Sequence, residues 1–445
     1  MTDRPERASA LLPLLLFLAL FLGSGIYHTI IGTEFAFYQL KAPVAAIPAI
    51  ILAVVLNRGR INDSIERFLH GAGHPNIILM CMVFMLAGAF AEVSKSVGSV
   101  DATVQLGLQF IPADFVVPAL FVVSAFIATA MGTSMGTIAA CAPIAIGFTT
   151  VAAINPVFAL GAVVSGAMFG DNLSMISDTT IAATRSQGVS LRDKFKVNFW
   201  IAVPASILTI IAYFIFAGDS HHVATQPQSV WLVLPYIAVF LLAFTGLHVL
   251  ATLAIGVVLA GALGLWLTPN YNLTSLNNAI YDGFIGLFEI MLLSMMIAGM
   301  SQLMQDQGGT QWLIQRIRRL SQQLRLKAQR AGEFTISFLV ILANIFVANN
   351  TVAIVITGEI AKEIAQENQV DPRRSASYLD IFSCVVQGLI PYGAQLLLAS
   401  SLARISPLEL AGAVFYCWAL GVLAVISIIA SYPKLKSYQP SHNPE

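Results

Sequence analysis

From Ala10 to Ser431 the chain is a succession of apolar stretches, most about as long as a bilayer is thick, joined by short polar connections. A helix needs about 20 apolar residues to cross hydrocarbon. The predicted spans are 10–32, 42–57, 77–97, 157–184, 197–217, 230–246, 247–268, 283–303, 379–403 and 410–431, with 157–184 and 379–403 interrupted. Only 10% of the residues are charged, against roughly a quarter in soluble domains. This is an all-α polytopic membrane protein. A formal net charge of zero argues against a nucleic-acid partner. Cys81, Cys141, Cys384 and Cys417 all fall in apolar segments and read as small buried hydrophobes, not as ligands or disulfides. The first apolar stretch shows no clear cleavage site, so it reads as a span and not as a removable signal.

Two stretches, 115–152 and 334–366, do not fit a single crossing. Connection charges place them. Lys and Arg collect at Arg58, Arg60 and Arg67; at Arg185, Arg192, Lys194 and Lys196; from Arg316 through Arg318, Arg319, Arg325 and Lys327 to Arg330; at Arg373 and Arg374; and at Lys434 and Lys436. Basic connections stay cytoplasmic. The segments near Asp101, Asp114, Asp219 and Asp282 are poor in Lys and Arg, hence outside. Span 77–97 then runs outward and 157–184 returns, so 115–152 starts and ends outside. It is broken by Gly132, Gly136 and Pro143 and reads as a re-entrant hairpin. By the same reasoning 334–366 is a hairpin entered from inside. Irregular backbone at that depth is tolerated only where it lines a cavity. The expectation is ten spans and two hairpins, with both termini cytoplasmic. Trp200, Trp231, Tyr236 and Trp266 near segment ends read as interfacial anchors.

The two halves, 1–220 and 229–432, resemble each other at an offset of about 210–218 residues, leaving a tail at 433–445. His70-Gly71 lines up with Asp282-Gly283, Ala128 to Thr137 with Ala343 to Val352, and Ser165 and Gly170 with Ser383 and Gly388. One hairpin enters from outside and the other from inside, so the repeats are predicted to be inverted. Inverted repeats with broken helices meeting near the midplane are the architecture of secondary transporters.

Four polar patches fall at matching places. The first hairpin carries Thr133, Ser134 and Thr137, and the first broken helix Asp171, Asn172, Ser174, Ser177, Asp178 and Thr180. The second hairpin carries Asn344, Asn349, Asn350 and Thr351, and the second broken helix Gln387, Tyr392 and Gln395 beside Pro391. Carboxylates are costly at membrane depth and face protein-lined cavities there. Two of them among hydroxyls and amides form an oxygen-rich set that suits a hard cation, and a proton competes for the same carboxylates. Gly170 predicts a break just before Asp171. Asp178 is a second ligand or a cap of the following half-helix. Any one Ser or Thr can instead bond back to its own helix. Glu289 is a further candidate proton site, and Asp380 reads as the cap of its span.

The run Phe169-Gly170-Asp171-Asn172-Leu173-Ser174, followed by Ser177-Asp178-Thr179-Thr180, resembles the signature of the NhaC-type sodium/proton antiporter family. The hairpin segment Ala130-Met131-Gly132-Thr133-Ser134-Met135-Gly136-Thr137 is similar to that family as well. The resemblance extends from roughly residue 40 to 430. One departure is Met175, where many members have Pro. The resemblance implies the ion-transporter superfamily fold, often as a homodimer, and some members resemble sodium-coupled carriers of amino acids or carboxylates.

These readings predict a sodium/proton exchanger of the inner membrane, with Na+ as coupling ion at Asp171 and Asp178 and no other cofactor. The alternative is sodium-coupled transport of a small organic solute, which the neutral amides and phenol of the second half favour. An intramembrane aspartyl protease would need Gly-x-Gly-Asp, and Met168-Phe169-Gly170-Asp171 lacks its first glycine. A channel is a weaker alternative.

Overall fold

The computed structural model describes residues 7–33, 36–57, 61–216, 229–309, 311–312, 315–316 and 328–435. The connection charges at Arg58, Arg60, Asp219, Arg318, Arg319, Arg325, Lys327 and Lys436, and the tail from 436, lie outside them. The regular structure described is helical: α1 (Leu12–Ile30), α2 (Ala42–Leu56), α3 (Ile61–Ala72), α4 (Pro75–Ser96), α5 (Ser99–Phe110), α6 (Val116–Met131), α7 (Ser134–Val151), α8 (Pro156–Leu173), α9 (Asp178–Gln187) and α10 (Leu191–Phe216). The second half continues with α11 (Leu234–Phe244), α12 (Val249–Leu267), α13 (Leu273–Asp306), α14 (Ala328–Val347), α15 (Asn350–Glu367), α16 (Pro372–Gln387), α17 (Ala394–Ala403), α18 (Pro407–Ala413) and α19 (Phe415–Ala430). Among the described residues nine helical segments are long and apolar enough to cross a membrane, or ten if α17 and α18, bent by 110°, count as one.

Prolines punctuate the bundle. Several helices open on Pro at the first position behind a capping side chain, a pairing that uses proline's missing N–H where no partner exists anyway. Asn155 accepts from Val157 N at 2.9 Å ahead of α8, and Asp371 accepts from Arg373 N at 2.9 Å ahead of α16. The second cap moves the start of α16 to Pro372, well before the expected 379. Asp380 is therefore a mid-helix residue and not a cap. Likewise α10 starts at Leu191, not 197, and takes Lys194 into the helix. Helices α3 and α5 were not expected from the apolar pattern. Tyr236 is fully buried with its ring edge-on to Phe90 at 5.0 Å, so it is no interfacial anchor.

The stretch 115–152 becomes α6 and α7, joined through Gly132 at φ 66°, and 334–366 becomes α14 and α15, joined through Ala348 at φ 53°. Both halves thus present a two-helix unit, an interrupted helix and a further helix in the same order. Helices α7 and α8–α9 are central and largely buried, whereas most of α10 is not. Small residues allow that. Gly166 and Gly170, spaced as Gly-x-x-x-Gly on α8, let α6 approach; a Cβ at either would lie 2.3 Å from Phe121 O or Ala128 Cβ.

Candidate functional site

Helix α8 ends at Leu173, where Ser174 N bonds Gly170 O at 2.7 Å, and the chain unwinds to Ser177 before α9. The break thus falls after Asp171, not before it. Gly170 stays helical because its missing side chain is spent on contact with α6, not on turning the chain. Asp171 ends up on the last turn of α8, 5% exposed. Asp178 is the first residue of α9 and exposed; its cap position is taken by Ser177.

The first hairpin tip closes on this break. Gly132 packs against Ile176, and Thr133 caps α7 by accepting from Gly136 N at 3.5 Å. Ser134 Oγ then donates to Asp171 Oδ2 at 3.0 Å, and Ser177 Oγ donates to Asp171 Oδ1 at 2.5 Å. From the second half, Gln395 Nε2 donates to Ser134 Oγ at 3.1 Å and Gln387 Nε2 to Gln395 Oε1 at 2.8 Å. A hydrogen-bonded row therefore runs from one broken helix to the other. At the second hairpin tip Asn349 caps α15 through Val352 N at 3.0 Å. The side-chain nitrogen of Asn350, a residue 8% exposed, has no hydrogen-bond partner among the described residues. A cavity of about 110 Å³ lies between the tips, lined by Ser134, Asp171, Asp178, Asn349, Asn350, Thr351, Gln387 and Gln395, with Asn76 and Val249 from the first residues of α4 and α12. That is below the ~300 Å³ of drug-sized pockets; it suits a cation with some water or a solute of few heavy atoms.

The remaining sequence candidates brace this geometry or lie elsewhere. Thr137 bonds back to Thr133 O at 3.0 Å, and Ser174 Oγ fixes the break by donating to Thr129 O at 3.0 Å. Tyr392 donates to Ile345 O at 2.6 Å and Asn344 to Ser383 O at 2.8 Å, tying the second hairpin to α16 and the break after it. Glu289 is apart from the cavity, 40% exposed and ion-paired with Lys41 at 3.2 Å.

Asn172 and Thr180 belong to a neighbouring cluster that the sequence reading did not assemble. Lys194 Nζ, from a side chain 1% exposed, meets Asp380 Oδ2 at 2.6 Å, Asn172 O at 2.7 Å and Thr180 Oγ1 at 2.7 Å. Asn198 Nδ2 donates to the same Asp380 oxygen at 2.9 Å, and its Oδ1 accepts from Ser377 Oγ. By sequence Lys194 is a connection charge; the structure places it within α10 against a buried carboxylate. The available signal was spacing: Lys194 and Asn198 are four apart on α10, and Ser377, Asp380 and Gln387 recur on one face of α16. Arg374 was misread in the same way. It is buried, paired with Glu333 at 2.6 Å.

A sequence profile of the Na+/H+ antiporter family matches residues 44–218 and 222–431. The malate-2H(+)/Na(+)-lactate antiporter of Bacillus subtilis is 22% identical over 83% of this chain and 85% of its own length. The Na(+)/H(+) antiporter NhaC of Alkalihalophilus pseudofirmus is 28% identical over 45% of this chain and 44% of its own. The arginine/ornithine antiporter ArcD of Halobacterium salinarum is 25% identical over 42% of each.

Proposed function

The chain belongs to the Na+/H+ antiporter family, and on that premise we propose that it exchanges sodium for protons at a site centred on Asp171. One observation carries the reading. Asp171 is a buried carboxylate at an interrupted helix end, faces a cavity, and is bonded by the hydroxyls of Ser134 and Ser177. Those three groups offer the oxygen set a hard cation needs. Hydroxyls that donate to an ionised carboxylate can rotate and present lone pairs to a cation. A proton on Asp171 removes the charge that holds the cation. Mutually exclusive occupancy of one carboxylate suffices for exchange, and each net charge moved is driven by roughly 2.3 kcal/mol per 100 mV. Asp178, exposed on the cavity wall, draws cations in. Thr133, Asn349 and Thr351 shape the tips.

In this reading the two halves are inverted repeats. The units α6–α9 and α14–α17 move against a scaffold of α1, α2, α11 and α12, and the cavity opens to the cytoplasm with α4 and α12 starting there. The protein is a homodimer of the inner membrane with both termini inside. The matching order of elements in the two halves supports the repeat.

Thermal stabilisation of the purified protein by sodium, lithium and potassium across pH tests the site. Ligand binding raises stability by mass action. Sodium should stabilise, less so at low pH, and Asp171→Asn should abolish the effect; an unchanged response in that variant sinks the assignment. A second reading, sodium-coupled carriage of a small organic anion, is favoured by Asn350. Its unpartnered buried amide lines the cavity at the start of α15, and helix N-termini favour negative groups. A relative's name includes malate and lactate. Stabilisation by a hydroxy acid or amino acid only when sodium is present would support it.

A further inference from the structure

Lys194 occupies a position whose oxygens suit a metal cation. Its ammonium donates to a carboxylate (Asp380 Oδ2), a main-chain carbonyl on the last turn of α8 (Asn172 O) and a hydroxyl on the first turn of α9 (Thr180 Oγ1). Carbonyls at interrupted helix ends, where the helix dipole is negative, are what transporters use to hold coupling cations. An ammonium has three hydrogens, and all are spent here. Two further oxygens, Asp380 Oδ1 and Asn172 Oδ1, are nonetheless buried without a hydrogen-bond partner among the described residues, on side chains 0% exposed. The amide orientation of Asn172 is set, because its Nδ2 donates to Asp380 Oδ2 at 2.9 Å. Its Oδ1 is therefore an acceptor. A buried acceptor without a donor is costly, and a tethered ammonium cannot serve it, whereas a metal cation takes as many oxygens as converge on it.

We propose that Lys194 is a built-in cation filling a second alkali-cation site, so that the protein binds one exchangeable sodium where its donor set offers two. The proposal rests on Asp171 being the exchangeable site. Lys194 neutralises Asp380 and leaves Asp171 as the uncompensated carboxylate of the pair. A purely structural ion pair between α10 and α16 would have no sodium-dependent phenotype when cut.

The test is a sodium titration of thermal stability in four proteins: wild type, D171N, K194A and D171N/K194A. Truncation to Ala removes the charge and leaves room. D171N should be insensitive to sodium. D171N/K194A should regain a sodium response that choline does not reproduce. In K194A alone the slope of Tm against log sodium should be about twice that of wild type. A double variant no more responsive than D171N overturns the proposal. So does K194A that cannot be recovered folded in any sodium concentration while K194M/D380N, which removes both charges and keeps volume, folds. K194M/D380N should show the wild-type slope; a doubled slope there would remove Asp380 from the site and overturn the proposal too. If D171N itself answers to sodium, the Asp171 reading fails, and the difference between D171N and D171N/K194A still decides Lys194.

Discussion

Gly170→Ala should damage sodium binding through packing alone. A Cβ at Gly170 would lie 2.3 Å from Ala128 Cβ, 2.5 Å from Thr129 N and 2.7 Å from Ala128 C. Non-bonded carbons rest at roughly 3.5–4.0 Å, so the methyl forces α6 and α8 apart by about 1 Å. Two of the three obstructing atoms are backbone and cannot rotate away. Overpacking of this kind costs about 1–3 kcal/mol. Helix α6 runs straight into Gly132 and Ser134, so the displacement reaches the 3.0 Å bond between Ser134 and Asp171. Lengthened by about 1 Å, that contact leaves hydrogen-bonding range. The Ser134 oxygen is then also out of reach of a cation seated on Asp171, and losing one polar contact to a charge costs about 1.5–3 kcal/mol, which is roughly tenfold to a hundredfold in apparent sodium affinity. The assay is the midpoint of sodium-dependent stabilisation in wild type, G170A and G286A. Gly286 is the control, since nothing lies within 4 Å of a Cβ built there. A G170A midpoint within about twofold of wild type, or an equal shift in G286A, would refute the argument.

Four further outcomes follow from the geometry. Asp178→Asn should lower sodium affinity only a few-fold, because its carboxylate is exposed and screened, and the deficit should shrink as ionic strength is raised with choline chloride. Sodium stabilisation of wild type should weaken as pH falls, because protons and sodium compete for one carboxylate; a response flat from pH 9 to pH 5 argues against exchange at Asp171. Arg374→Met strands Glu333, fully buried, without its partner, and should cost about 3–5 kcal/mol of stability by denaturant unfolding in detergent, with sodium affinity unchanged. Asn350→Leu should abolish any stabilisation by an organic anion and spare the sodium response; survival of the anion effect removes Asn350 from that subsite.

The helical character of the apolar stretches was legible because apolar length is a local signal, and the bend at Gly132 because a glycine interrupts its stretch; the bend at Ala348 carries no such mark. The polar cluster at Asp171 was legible as a local signal too: ionisable residues stand out against apolar flanks. What sequence alone did not separate is the fate of the two aspartates. Asp171 is buried and Asp178 exposed, a difference set by where α8 unwinds, which in turn depends on α6 using up Gly170. Lys194 and Arg374 were hidden because a basic residue near a span end looks the same whether it faces water or a buried carboxylate. Their partners lie 186 and 41 positions away along the chain, and no local pattern carries a pairing of that kind.

The row Gln387, Gln395, Ser134, Asp171 has a polarity. Each N–H or O–H in it points toward the carboxylate, so the ionised form of Asp171 terminates a chain of donors with an acceptor. A proton on the oxygen facing Ser134 turns that end into a donor. Ser134 then accepts from both sides, and its own hydrogen is left without a place. The mismatch passes back along the row to amides anchored on the second broken helix. Protonation at one half of the molecule is thereby written into the orientation of groups on the other, without any charge having to cross between them.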